Sequence, residues 1–174
     1  CVPGRQCMMS GQLPRTCGCE QFGQDLPPFS MTFAKRFAQQ AYHTVCAGKL
    51  HHQGPDQMQG WTRRLAGDMG LADWAIEKRD EPAFKRYMAE PGSGKWSNQK
   101  EIERAAVTTG WQVETDAEAT EALRRFIPRH FVSPHYDRPG SHRPCLIKHS
   151  LVQPHYPFFT SHEPIYAASC GAGK

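Results

Sequence analysis

Between residues 30 and 127 apolar side chains recur at three- and four-residue intervals, the period of amphipathic helices. Ser30 is placed to cap a helix running from Met31 to about Ala47, whose apolar face is Ala34, Phe37, Ala38, Ala41 and Val45, widened by Phe33. Gly48 supplies its stop. Pro55 opens a second helix to about Ala66, carrying Met58, Trp61 and Leu65. Leu71, Trp74 and Ala75 mark a short third helix, and Pro82 starts a fourth with Phe84, Tyr87 and Met88. Asn98 and Glu101 begin a helix to about Thr109. After an extended link at Trp111 and Val113, the capping box Thr115–Glu118 begins a helix that Pro128 ends.

The flanks read differently. Residues 1 to 29 are rich in Gly, Pro, Gln and Cys and predict an irregular arm. From Pro128 to Pro164 prolines recur every few residues, which argues for extended, partly polyproline chain and against a central strand. The pattern therefore predicts a mainly α protein. A small bundle of short helices at 30–127 would carry long, extended arms at 1–29 and 128–174.

The tail contains a duplication. Val132, Pro134, His135, Tyr136, Ser141, His142 and Pro144 return twenty residues later as Val152, Pro154, His155, Tyr156, Ser161, His162 and Pro164. An extended segment cannot bury its aromatic side chains against itself. Phe131, His135, Tyr136, His142, His155, Tyr156, Phe158, Phe159, His162 and Tyr166 are thus the candidate partner-binding residues, with Tyr136 and Tyr156 as anchors.

Other chemistry is sparse. The four tail histidines form two H-x6-H pairs, which do not match the short pairs of structural zinc sites, so no metal is expected. Cys7, Cys17 and Cys19 lack a nearby fourth ligand. Cys7 and Cys17 read as reduced thiols or as one bridge; with seven cysteines full pairing within the chain is impossible. His51 and His52 read as linker, because adjacent residues point in different directions. Glu90–Lys95 resembles a phosphate loop, but Ala89 stands where its first glycine belongs and Trp96 replaces the Ser or Thr. No nucleophile–base or dinucleotide motif emerges, so neither catalysis nor a cofactor is expected.

Composition shapes the functional expectation. Leu, Ile, Val and Phe make up about 16% of the chain, below the roughly 20% that core-building chains exceed. Net charge is +4, from 21 basic and 17 acidic residues, too modest to argue for nucleic acid. No stretch is long and apolar enough for a membrane span. The start at Cys rather than Met suggests a cleaved leader or an incomplete sequence. Together these features predict a non-catalytic accessory subunit held by other subunits of a large complex, in the first instance a mitochondrial assembly of the respiratory or ATP synthase type. A microtubule-lattice protein of cytoskeleton or cilium, a ribosome-associated protein, and a small zinc-binding or redox protein are the alternatives.

Overall fold

In the computed structural model, residues 1–68, 105–107, 111–133, 136, 140, 142–155 and 158–160 are described. The first elements are α1 (Val2–Ser10), α2 (Pro14–Cys17) and α3 (Phe33–Gln39), followed by β1 (His43–Gly48) and β2 (Arg63–Arg64). Then come β3 (Ala106–Val107), α4 (Trp111–Phe131), β4 (Cys145–Ser150) and β5 (Phe159–Thr160). Strands β2, β1 and β4 form a parallel sheet in that order, with β1 in the centre; β3 and β5 form a separate parallel pair. The chain is therefore mixed α/β, which corrects the expectation of a mainly α bundle with irregular arms.

The central strand shows why the helical reading fails. The apolar spacing of Ala41 and Val45 prolongs the pattern of α3, but the chain turns at Ala41, whose φ is +62°. Thr44 and Val45 then prefer the pleated backbone, where a branched Cβ packs well. The helix also starts later than expected: Thr32, not Ser30, is the N-cap, and its side chain accepts from Lys35 N–H at 3.1 Å.

β1 is buried from Thr44 to Gly48 because both faces of the sheet are covered. On one face Cys46 joins Met9, Cys19, Leu26, Ala34, Leu50 and Trp61, with Phe33, Met58 and Leu146 against them. On the other, Ala47 meets Ala66, Ala119 and Leu123 of the α4 side, with Ile147 packed alongside. Cys46 and Ala47 divide between the two cores, as do Leu146 and Ile147, which is the alternation of an extended chain. Small residues at Ala47 and Ala119 let α4 lie close to the sheet.

Both flanks are structured. Pro3 in the first turn and Gly11 at the end, with φ +70° and its N–H on the Cys7 carbonyl at 2.8 Å, delimit α1 within the expected arm. Residues 55–62 are loop rather than helix, although Trp61 is buried and meets Phe33 edge-on at 5.6 Å. Ala106–Val107 is strand, and Trp111 opens α4 instead of lying in a link. Pro128 does not end α4, which runs to Phe131: proline removes one donor, yet its fixed φ is helical. In the tail, the proline-free stretch after Pro144 forms β4, which pairs with β1 from His43↔Cys145 to Gly48↔Ser150. The expected helices around Trp74 and Phe84, and most of the one starting at Asn98, lie outside the described residues.

Asp116, in the first part of α4, holds the chain after β4. Its two carboxylate oxygens accept from Val152 N–H at 2.6 Å and Gln153 N–H at 2.9 Å. The group is almost fully buried. Removing it leaves two donors without their acceptor in a dry setting, so Asp116→Ala is expected to cost about 2–4 kcal/mol. Urea unfolding followed by circular dichroism measures this; a change below about 1 kcal/mol contradicts the assignment.

Candidate functional site

The carboxyl ends of β1 and β4 converge with the N-terminus of α1. Ligands of open parallel sheets bind in the crevice outside the carboxyl ends of the strands. Here β1 delivers Lys49, Leu50 and His51, β4 delivers Ser150, and α1 delivers Cys1 and Arg5. Cys1 is the N-cap of α1, where unpaired backbone N–H groups favour negative charge.

The contacts tie these side chains together. Cys1 Sγ lies 2.7 Å from His51 Nδ1. Arg5 Nη1 donates to the Lys49 carbonyl at 2.5 Å and to Ser150 Oγ at 3.0 Å, linking the ends of the two strands. Asp68 Oδ2 accepts from Leu50 N–H at 3.1 Å and His51 N–H at 2.6 Å, and lies 3.7 Å from Arg64 Nη2. His51 adopts φ +59°, a left-handed conformation that a non-glycine residue holds only when its surroundings impose it. Its Nε2 is buried and, among the described residues, has no hydrogen-bond partner. Phe22 meets the His51 ring edge-on at 5.6 Å.

Electrostatics single out the same place. Lys49 is 1% exposed. Burial, and then Arg5, push its ammonium down to about 8, while Asp68 and Asp116 pull the other way. Lys148 on β4 is also lowered to about 8, first by burial and then by Arg5. Its Nζ is buried without a hydrogen-bond partner among the described residues and lies 5.9 Å from the Trp61 ring centroid. Burial also lowers the Arg5 guanidinium, against the pull of Asp68. Arg5, Lys49, Arg64 and Lys148 thus crowd around Asp68, with Asp116 beyond. Like charges gathered in a half-buried setting are stabilised by an anion.

His51 and His52 are held neutral. Burial is the main cause for each, and it brings them to about 3 and about 4. In the unfolded chain they take up protons near pH 6.5, so acid favours unfolding. The stability they contribute is complete above that pH and declines as pH falls toward their folded values. At pH 5 the loss is about 2 kcal/mol for each. Urea unfolding at pH 7.5 and pH 5 is expected to show a drop that shrinks in His52→Gln. An equal drop in that variant contradicts the assignment.

The residues expected to bind a partner lie elsewhere. Tyr136 packs among His130, Phe131 and His142, with ring centroids 5.3, 4.9 and 5.2 Å away. Phe131 is 43% exposed at the end of α4. His155 and Phe158 are partly buried, and Phe159 is in β5. His135, Tyr156, His162 and Tyr166 lie outside the described residues, so the two copies of the duplication cannot be superposed. Among the described residues no three His, Cys, Asp or Glu side chains converge as a metal site. Cys7 and Cys17 are both free thiols, and Cys19, buried beside Cys17, is pushed up to about 12 by that burial. No described helix is long and apolar enough to cross a membrane.

Sequence reasoning missed Cys1, Arg5, Lys49, His51 and Asp68. Two signals were present: the first-turn proline with a terminal glycine that frames α1, and the short run from Thr44 to Ala47 ending at Gly48–Lys49.

No family model matches the chain. It is 34% identical over 74 residues to the choline-sulfatase of Rhizobium meliloti (strain 1021), a stretch that covers 42% of this chain and 14% of that protein. The match thus spans about a seventh of the relative's length. Similarity to an enzyme overturns the expectation of a non-catalytic chain.

Proposed function

We propose that this chain forms part of the catalytic centre of a hydrolase that cleaves the ester of an oxyanion, with sulfate esters as the substrate class. The observation that carries the reading is the pair Cys1–His51, in contact at the N-terminus of a helix and flanked by half-buried Arg5 and buried Lys49. The sulfatase similarity supports the choice of sulfate.

Each group has a role in this reading. The amide dipoles at the start of α1, with Lys49 and Arg5, hold the anionic group and offset charge that grows in the transition state. The Cys1 side chain attacks the central sulfur. The sulfur–oxygen bond to the alcohol breaks, the proton taken from the thiol passes to the departing alcohol, and water then cleaves the sulfur–sulfur bond, releasing inorganic sulfate and restoring the thiol. His51, in contact with the thiol, takes its proton only transiently as the attack proceeds, because burial leaves the ring a weak base and its cation a strong acid. Asp68 is a positioning residue: by gripping Leu50 and His51 N–H groups it fixes the turn that presents the ring. The accessory-subunit reading rests on composition and the tail duplication and gives no reason for cations to gather here.

The test is hydrolysis of aryl and alkyl sulfates by the intact protein, with phosphate monoesters alongside. Turnover of sulfate esters, competitively inhibited by inorganic sulfate, is expected. Absence of turnover together with absence of sulfate binding overturns the reading. The pH dependence has a defined sign. Lys49 carries its charge below about pH 8 and loses it above, so sulfate inhibition is expected to weaken as pH rises through 8, by roughly tenfold if one charge contact is lost. Measuring the inhibition constant from pH 6.5 to 9.5 checks this, and Lys49→Arg, which keeps its charge over that range, is expected to flatten the profile.

A further inference from the structure

A second cationic concavity lies at the other end of the central strands. Its volume is about 890 Å³, within the range of small-molecule sites. His43, the first residue of β1, and Arg143, just before β4, stand on one side; Arg129 and His130, in the last turn of α4, stand on the other. Arg63 of β2 and Arg125 of α4 complete four arginines, and among the described residues no carboxylate lines the cavity. Lys49 and His51 follow the opposite end of β1, roughly 20 Å away along the strand, so this cavity is separate from the cleft at Cys1.

We propose that this cavity binds a small, multiply charged oxyanion. Three observations carry the inference. First, Arg125 shares Glu121 with Arg124, at 2.7 Å for each Nε, but no ion pair among the described residues engages Arg63, Arg129 or Arg143. Second, the rings of the cavity are fixed. Phe126, His43 and His130 stack with centroids 5.1 to 6.1 Å apart, and Arg63 Cζ lies 5.2 Å from the Phe126 centroid. Third, His43 Nε2 and His130 Nε2 are buried without hydrogen-bond partners among the described residues. Basic residues at the end of α4 would by themselves offset the helix dipole. That explanation does not reach Arg63 and Arg143, which come from the sheet side. Planar guanidinium groups match oxyanions with paired hydrogen bonds, and two or more charges on the ligand are needed to answer three cations.

Tripolyphosphate and citrate serve as probes in calorimetric titrations of the full chain. Saturable binding of at least one of them, with a stoichiometry near one, is expected. Arg129→Ala with Arg143→Ala is expected to weaken it roughly tenfold or more, whereas Arg124→Ala, the loss of one surface charge outside the cavity, changes it less than about twofold. Arg129→Lys with Arg143→Lys keeps charge and fold but loses the forks, and an intermediate affinity is expected. Ring resonances of His43 and His130 in the unaltered protein are expected to shift on titration. The proposal is overturned if neither probe binds, if Arg124→Ala weakens binding as much as the double change, if the histidine rings do not respond, or if Lys49→Ala removes the binding instead.

Discussion

Cys1→Ala is expected to lower kcat for sulfate-ester hydrolysis by at least about 10³-fold, because it deletes the attacking group while leaving the rest of the site in place. The cap of α1 has no side-chain hydrogen bond, so the truncation removes no capping interaction, but it takes the partner of His51 Nδ1, and a stability loss of about 1–2 kcal/mol is expected. Inorganic sulfate is expected to bind within about threefold of its original affinity, since Arg5, Lys49 and the helix amides remain. Cys7→Ala, nearly two helical turns along, is expected to keep activity. Full turnover by Cys1→Ala would remove Cys1 from the mechanism. Lost turnover accompanied by lost sulfate binding would make it a structural residue of the cleft. Steady-state kinetics and sulfate titration on the same preparations separate these outcomes.

Gly48→Ala is expected to be the most damaging single methyl in the described structure. Gly48 has φ +86°, and a Cβ there would sit 2.1 Å from the Ser150 carbonyl oxygen and 3.3 Å from Ala119 Cβ. That same oxygen accepts the Lys49 N–H at 2.8 Å. The backbone strain and the overlap each cost on the order of 1–3 kcal/mol, so a total of roughly 3 kcal/mol or more is expected. Because Gly48 directly precedes Lys49, any backbone relief moves the site, and sulfate binding is expected to fail with the fold. Gly4→Ala is the control. Its Cβ meets nothing within 4 Å, and in the interior of α1 it is expected to be neutral or to stabilise by about 0.5–1 kcal/mol. Thermal unfolding of the two variants decides; equal melting points would show that the close approach is tolerated.

What was legible in the sequence was mostly local. The face Ala119, Leu123 and Phe126 of α4, the helical nature of Phe33–Gln39 and the burial of Trp61 follow from spacing and side-chain type. The sheet was not legible, because β1 is a short strand covered on both faces and has no polar–apolar alternation to read. Its apolar residues fit the preceding helical period, and Ala41 turns the chain without a glycine or proline to mark it. β4 was hidden by its neighbours: prolines on either side suggested one continuous irregular tail. The site was the least visible, since it joins residues 1, 5, 49, 51, 68 and 150 by topology alone. The histidine pair at 51–52 looked like linker, although the strand before it delivers both side chains into the interior.

The β1–β4 pairing also sets a schedule for synthesis. His43 faces Cys145 across about a hundred intervening residues, so closing this pair carries a long-loop entropy that local elements do not. When β1 leaves the ribosome, β2 follows soon after and can cover one edge. The other edge, with the apolar Val45 to Ala47, waits until β4 is translated, about five to twenty seconds later at ordinary elongation rates. During that interval the unpaired edge is open to other nascent chains, and Lys49 and His51 have no fixed place. Expression at low temperature, or with extra holding chaperone, is therefore expected to raise the share of chains in which β4 reaches β1.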